Sequence, residues 1–185
     1  MRKFVFLLSL FTLFISCVKQ TELSKIFDCK SSKFEKHSII NDFNKNFNIP
    51  IPSTWKTSLY YNDFQSEIFT ADTTKQLTES YILDVSYNVG ELILNNDFIV
   101  KNDSILRTNN LQKIMAGNDN FQLKQSYWFL ANGTKKGFPF HQFNIFVKLS
   151  ENSYLNSYVE IYGENKIEER LCSAISIIEN IEFLH

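Results

Sequence analysis

The chain has 185 residues, 44% of them hydrophobic and 15% aromatic, with 19 basic against 20 acidic side chains for a formal net charge of −1. That balance excludes the basic footprint of a nucleic-acid binder, and no Lys/Arg cluster exceeds the pair Lys135-Lys136. Only 5 Gly and 3 Pro in so apolar a chain exclude a low-complexity or disordered protein and leave enough material for one real core.

The chain opens on two basic residues, Arg2 and Lys3, then an apolar run from Phe4 to Ile15 interrupted only by Ser9 and Thr12, then Ser16-Cys17. This is signal-peptide architecture, too short to span a bilayer as a helix. The segment Leu13-Phe14-Ile15-Ser16-Cys17 resembles the lipobox of bacterial lipoproteins, although Phe14 stands where Leu is usual. The resemblance implies a signal over residues 1–16 and a diacylated Cys17 as the mature N-terminus. The address would then be the cell envelope, with the outer membrane facing the periplasm as the expected site. At about 0.8 kcal/mol per buried methylene, two acyl chains give stable anchoring where one gives reversible binding. A cleaved secretory signal with an incidental cysteine is the alternative.

Residues 17–32 are polar, with scattered Lys, Ser and Thr, and read as a lipidated flexible tether ahead of a single α+β domain over 33–185. Without Arg2 and Lys3 that mature part carries a formal charge of −3. Cys29 and Cys172 are left once Cys17 is committed to lipid. They form either a disulfide closing a loop of about 140 residues in an oxidising compartment or two buried thiols. Phe34, His37, Ile40, Phe43 and Phe47 recur at helical spacing, which predicts a short amphipathic helix from about Ser32 to Asn46.

Phe47 to Trp55 alternates apolar residues, and Pro50 and Pro52 restrict it to extended geometry at a sheet edge or strand end. Phe47, Ile49, Ile51 and Pro52, followed closely by Trp55-Lys56, resemble the opening strand of the PsbP-like superfamily. That superfamily includes photosystem accessory proteins and a nuclear-import factor. The resemblance, carried also by the order of elements to about Leu184, implies an antiparallel sheet between helices and an accessory role. It supplies no catalytic residues.

Further on, Lys56–Tyr61 and Glu67–Ala71 flank an Asn62-Asp63 turn, and Tyr81, Leu83, Val85 and Tyr87 alternate with polar neighbours in a half-buried strand. Apolar spacing predicts a helix over about 103–116, capped by Asn102 or Asp103 and stopped by Gly117. Asn132-Gly133 predicts a hairpin turn after a strand over 127–131. The next two strands, 140–149 and 155–162, are expected to pair with Leu149 opposite Leu155, gathering Val147, Ile145 and Phe143 on one aliphatic face. A final helix over about 165–180 puts Ile167, Leu171, Ala174, Ile175 and Ile178 on one stripe, continued by Ile181, with Arg170 outside it. The opposite sheet face carries Phe146, Tyr158 and Tyr162 among polar residues. It is either covered by a helix or an aromatic platform that binds a partner.

No constellation carrying chemistry emerges. His37, His141 and His185 lack ligand spacing, so no metal site is expected, and Glu168-Glu169 reads as a solvated helix face rather than an acid/base pair. No phosphate-cradling or nucleophile-elbow motif is present. The expectation is a non-enzymatic envelope lipoprotein without cofactor, held to the membrane by its N-terminal diacyl cysteine and acting as a binding or accessory subunit of an envelope complex. A periplasmic carrier of a small apolar or aromatic ligand is the alternative.

Overall fold

The computed structural model describes residues 22–30 and 36–184. The expected signal, Cys17 and Phe34 lie outside the described residues. The elements in chain order are α1 (Glu22–Ile26), β1 (His37–Asn41), β2 (Phe47–Pro52), β3 (Lys56–Tyr61), β4 (Gln65–Ala71) and β5 (Ile82–Val89). Next come α2 (Asn96–Thr108), β6 (Leu111–Phe121), β7 (Lys124–Lys135), β8 (Phe138–Lys148), β9 (Ser153–Tyr162), α3 (Ile167–Glu179) and β10 (Glu182–Phe183). Seven strands form one antiparallel sheet in the order β3-β4-β5-β9-β8-β7-β6, and a small sheet runs β1-β2-β10. The fold is α+β.

The large sheet has two unlike faces because its side chains alternate. On one face Ile68, Leu83, Val85, Phe143, Ile145, Val147, Leu155, Val159 and Ile161 are buried in a single core with Phe47, Ile49 and Ile51 of β2. The helix α3 closes that core with Leu171, Ala174, Ile175, Ile177 and Ile178. At about 1.5–3 kcal/mol for each large aliphatic side chain buried, this docking is a main source of stability. The second face is partly roofed by α2, whose Leu106, Phe98 and Ile99 pack with Tyr127, Phe129 and Phe140 in a separate cluster.

Several expectations are corrected. The predicted 32–46 helix is instead β1 followed by a tight turn. Asp42, buried there, accepts hydrogen bonds from Phe47 N at 2.9 Å and Asn46 Nδ2 at 2.8 Å, and Lys45 takes a left-handed φ of 58°. Pairing with β2 across five residue pairs outweighs the helical spacing of that stretch. Within β2, only Phe47 and Asn48 pair with β10, so Pro50 and Pro52 lie past its end where a missing N–H leaves no gap.

The helix expected over 103–116 starts seven residues earlier. Asn95 caps it, accepting from Phe98 N at 3.0 Å, and Asn110 at φ 56° ends it. Gly117 therefore stops nothing. It lies in β6 opposite Trp128, where an added Cβ would meet the indole ring at 2.9 Å.

Asn132-Gly133 is likewise not a turn. β7 runs through it, and the chain reverses at Lys136-Gly137, both at positive φ. Gly133 is required for space, because a Cβ there would stand 2.4 Å from the Asn110 carbonyl oxygen. The β8–β9 hairpin pairs Val147 with Leu155, Ile145 with Ser157 and Phe143 with Val159, two residues away from the expected register. A slip of two keeps every side chain on its face, so the aliphatic side is the one expected. Arg170, expected outside the α3 stripe, is buried and donates through Nη1 to the carbonyls of Ser80 and Tyr162, both at 2.8 Å.

The stretch expected to be tether contains α1, with Leu23 buried in the core. Glu179 of α3 accepts from Ser24 N at 3.1 Å and Ser24 Oγ at 2.6 Å. Cys29 and Cys172 are joined by a disulfide across 143 residues. A crosslink over so long a loop constrains the unfolded chain strongly, so replacing both cysteines by Ser should cost about 2–5 kcal/mol, measured by denaturant unfolding. Gly133→Ala should lower stability by roughly 1–3 kcal/mol in the same assay, the range for an overpacked site.

Candidate functional site

The three residues expected to form a binding platform are split by α2. Phe146 is half-buried with its ring edge-on to Phe98, centroids 5.0 Å apart. Tyr162 is only 4% exposed and packs edge-on against Phe140, so it is core and not platform. Tyr158, half-buried, faces the part of the sheet that α2 leaves uncovered, and its hydroxyl donates to Glu160 Oε1 at 2.7 Å. The helix that covers part of this face is α2, which starts seven residues before the helix expected over 103–116.

The uncovered part of this face is acidic. Glu67 on β4, Asp84 on β5 and Glu160 on β9 stand on neighbouring strands, since Asp84 pairs with Phe69 on one side and with Tyr158 on the other. Glu160 is well compensated. Burial pushes its carboxyl up, but Lys135 and the hydroxyls of Tyr158 and Tyr162 outweigh this and hold it below the usual range. Asp84 has no such support. Burial first, then the charge and hydrogen bond of Glu67 and the charge of Glu160, raise its pKa to about 7.

A carboxyl titrating near neutrality is a recognised marker of a functional site, yet crowding on a sheet face produces it as well. The groups acting on Asp84 are themselves carboxylates, and Lys135 is engaged by Glu160. His37 is exposed on β1, while His141 on β8 lies near Arg170 and Glu164, which leaves neither beside this cluster. The hydroxyl–carboxylate contacts on this face, Tyr158 and Tyr162 on Glu160, join tyrosines that burial holds above the usual phenol range to a carboxylate held below its own, which does not activate a nucleophile. Among the described residues no group of three or more His, Cys, Asp or Glu could hold a metal ion.

The feature that sequence reasoning missed is the edge of the sheet at β3. Leu59, Tyr60 and Tyr61 are exposed there, the last at 59%. Tyr61 stacks face to face on Phe43 from the β1–β2 turn, centroids 3.6 Å apart, and Phe64 at the β3–β4 turn is 70% exposed. Val89, also exposed, donates its N–H to the Phe64 carbonyl and extends the patch.

The two edges of the sheet differ. β6 is broken by a bulge between Lys113 and Met115 and passes into Asn118-Asp119-Asn120, devices that deter strand addition. β3 pairs with β4 in unbroken register and carries one charge, Lys56, at its start. Among the described residues no strand pairs with its outer edge, which aromatics flank. The signal was present in Leu59-Tyr60-Tyr61 and Phe64, but only the sheet order shows that this strand is terminal.

The enclosed hollow beneath α1, lined by Leu23, Phe121, Ile145 and Glu179, holds about 50 Å³, against the roughly 300–1,000 Å³ of ligand pockets. Two larger hollows are open to solvent, one of about 800 Å³ beside Arg107, His141 and Glu164 and one of about 680 Å³ beside Trp55, Tyr81 and Arg170.

Asp84 makes a pH prediction. Its folded pKa is raised above the unfolded value of about 3.9, so its contribution is favourable at low pH and is lost as pH rises through about 7. Asp84→Asn should therefore leave the melting temperature near wild type at pH 4 and raise it progressively up to pH 7–8, read by thermal unfolding across that range.

No family model matches the chain, and no curated protein does. Solved structures share its fold. The solution structure of cyanobacterial PsbP (CyanoP) from Synechocystis sp. PCC 6803 superposes with a TM-score of 0.61 at 8% identity, over 84% of this chain and 96% of that one. A crystal structure from Pseudomonas aeruginosa, PA94, described as a protein of unknown function and putative regulator, gives a TM-score of 0.52 at 7% identity, over 78% and 94%. At such identities the likeness is one of fold alone, and that fold is PsbP-like.

Proposed function

We propose that the chain is a lipid-anchored, non-catalytic protein of the bacterial cell envelope, acting as a binding or accessory subunit whose β3 edge takes a strand from a protein partner. The observation that carries this reading is the unbulged, aromatic-flanked edge of β3, the form of edge to which extended peptides add by backbone pairing while alternate side chains supply specificity. An exposed edge of this kind is an aggregation hazard unless it is used. The lipobox-like Leu13–Cys17 supplies the anchor. Among the described residues no helix is long and apolar enough to cross a membrane.

The outer membrane with the body facing the periplasm is the address that fits a disulfide between Cys29 and Cys172, because oxidising compartments preserve such bonds. The ligand-carrier reading calls for an enclosed apolar cavity, and the enclosed hollow under α1 is too small for one.

Tyr61→Ser combined with Phe64→Ser should abolish recovery of the partner by in-cell crosslinking and mass spectrometry. The melting temperature should stay close to wild type, because both side chains are exposed and surface substitutions are usually within about 0.5 kcal/mol. Unchanged recovery would rule out the β3 edge. Cys17→Ser should move the protein from the membrane to the soluble fraction, and its retention there would rule out the lipid anchor.

A further inference from the structure

The β6–β7 hairpin closes through Gln122 and Leu123, at φ 50° and 68°. Two-residue turns with positive φ at both positions normally take Asn-Gly or Asp-Gly, since a side chain such as Leu is strained there. Leu123 is also 97% exposed. A bulky apolar residue held in an unfavourable conformation, with almost no protein contact, does nothing for the fold that Gly would not do better.

The location of this turn matters. Gln122 Nε2 donates to the Ile181 carbonyl at 2.7 Å and the Glu179 carbonyl at 3.3 Å, fixing the turn against the end of α3. The Glu179 carboxylate in turn holds Ser24 of α1, and Glu22 and Gln122 border the same small hollow. Gln122 also shares a shallow cleft with Phe183 and the exposed Leu184, and Lys124 Nζ lies 5.5 Å over the Phe183 ring. The first described residue, Glu22, therefore sits at the same end of the molecule as Leu123. Cys17 precedes it by five residues, which at full extension reach no more than about 18 Å.

We infer that the Leu123 turn, with Leu184 beside it and Lys124 behind it, is a membrane-contacting tip that enters the headgroup region of the bilayer holding the acylated N-terminus. The inference rests on lipidation at Cys17 and adds the orientation of the body. The anchor confines the Glu22 end of the fold to the vicinity of the bilayer, and among the described residues Leu123, at that end, is the most exposed large apolar side chain. A Lys beside an apolar tip suits this interface, its stem lying along apolar surface and its ammonium among headgroups. The far end of β7, at the Lys136-Gly137 turn, faces away from the bilayer, and the β3 edge remains open to a partner.

The test uses the full acylated protein in phosphatidylcholine vesicles. Leu123→Cys carries an environment-sensitive fluorophore, and Lys136→Cys carries it in a matched control. Cys29 and Cys172 are bridged and Cys17 is alkylated by lipid, so the introduced thiol alone takes the label. The expected result is a blue shift at position 123 with quenching by spin-labelled lipid, and a water-like spectrum without quenching at position 136. A water-like spectrum at both positions, on protein whose intact mass shows the diacyl group, overturns the tip and leaves the anchor standing. Equal quenching at both positions also overturns it. A mature mass without acyl groups overturns the anchor reading, and the tip falls with it. Leu123→Gly, relieved of backbone strain, should raise the melting temperature, and a fall would show that Leu123 serves the fold instead.

Discussion

The burial of one sheet face under α3, β2 and α1 is the constraint on which everything else in this protein depends. Leu171, Ala174, Ile175, Ile177 and Ile178 press onto Phe143, Ile145, Val147, Leu155 and Val159, and the Cys29–Cys172 bond fastens the start of the described chain to that same helix. The crosslink ties together segments that otherwise meet only through small contacts, α1 being five residues long. Five residues form no stable helix alone, so α1 owes its existence to Leu23 in the core, to the Ser24–Glu179 hydrogen bonds and to the disulfide that follows. α1 is therefore part of the fold, and Glu22 stands five residues after the Cys17 that resembles a lipid anchor.

With one face spent on the core, the other is divided. α2 covers β6, β7 and β8 with an aromatic cluster that Tyr162 of β9 and Ile82 of β5 join, and the rest of the face carries Glu67, Asp84, Glu160 and Tyr158. The acidic cluster is costly at neutral pH, since Asp84 ionises there against Glu67 and Glu160. The tyrosine hydroxyls beside it rest on Glu160, a carboxylate held below its usual range, and further aromatic residues lie along the β3 edge. On the proposed reading this is a surface that binds, with the β3 edge at one side of the sheet and the Leu123 turn at another.

Much of the fold could be read from residues whose pattern is local. The strands β3 to β5 and β9, and the stripe of α3, follow from alternation or helical spacing and lie close to where they were expected. What escaped is what tertiary partners decide. His37 to Phe43 has helical spacing, yet β2 offers it a strand to pair with. Asn132-Gly133 has turn chemistry, yet Gly133 is needed so that β7 can pass the Asn110 carbonyl, and the turn falls on Lys136-Gly137. The β8–β9 register was off by two because Leu149–Leu155 and Val147–Leu155 pairings bury the same face, and only the loop geometry at Ser150–Ser153 distinguishes them. As for the site, Tyr158 and Tyr162 both lie on the mixed face, and what the sequence does not show is that α2 buries Tyr162 and leaves Tyr158 half-exposed, because burial by a remote helix leaves no local trace.

The claim on which the account turns is that β3 is a docking edge in the anchored protein, and hydrogen exchange tests it directly. Exchange is compared at the β3 amides between the protein in its native membranes and the purified protein. An unpaired edge exchanges fast when free and slowly once a partner strand pairs with it. The account predicts protection over Lys56–Tyr61 in membranes that is lost on purification, with the exchange of β8 and β9 unchanged. Identical exchange of β3 in both states would contradict it.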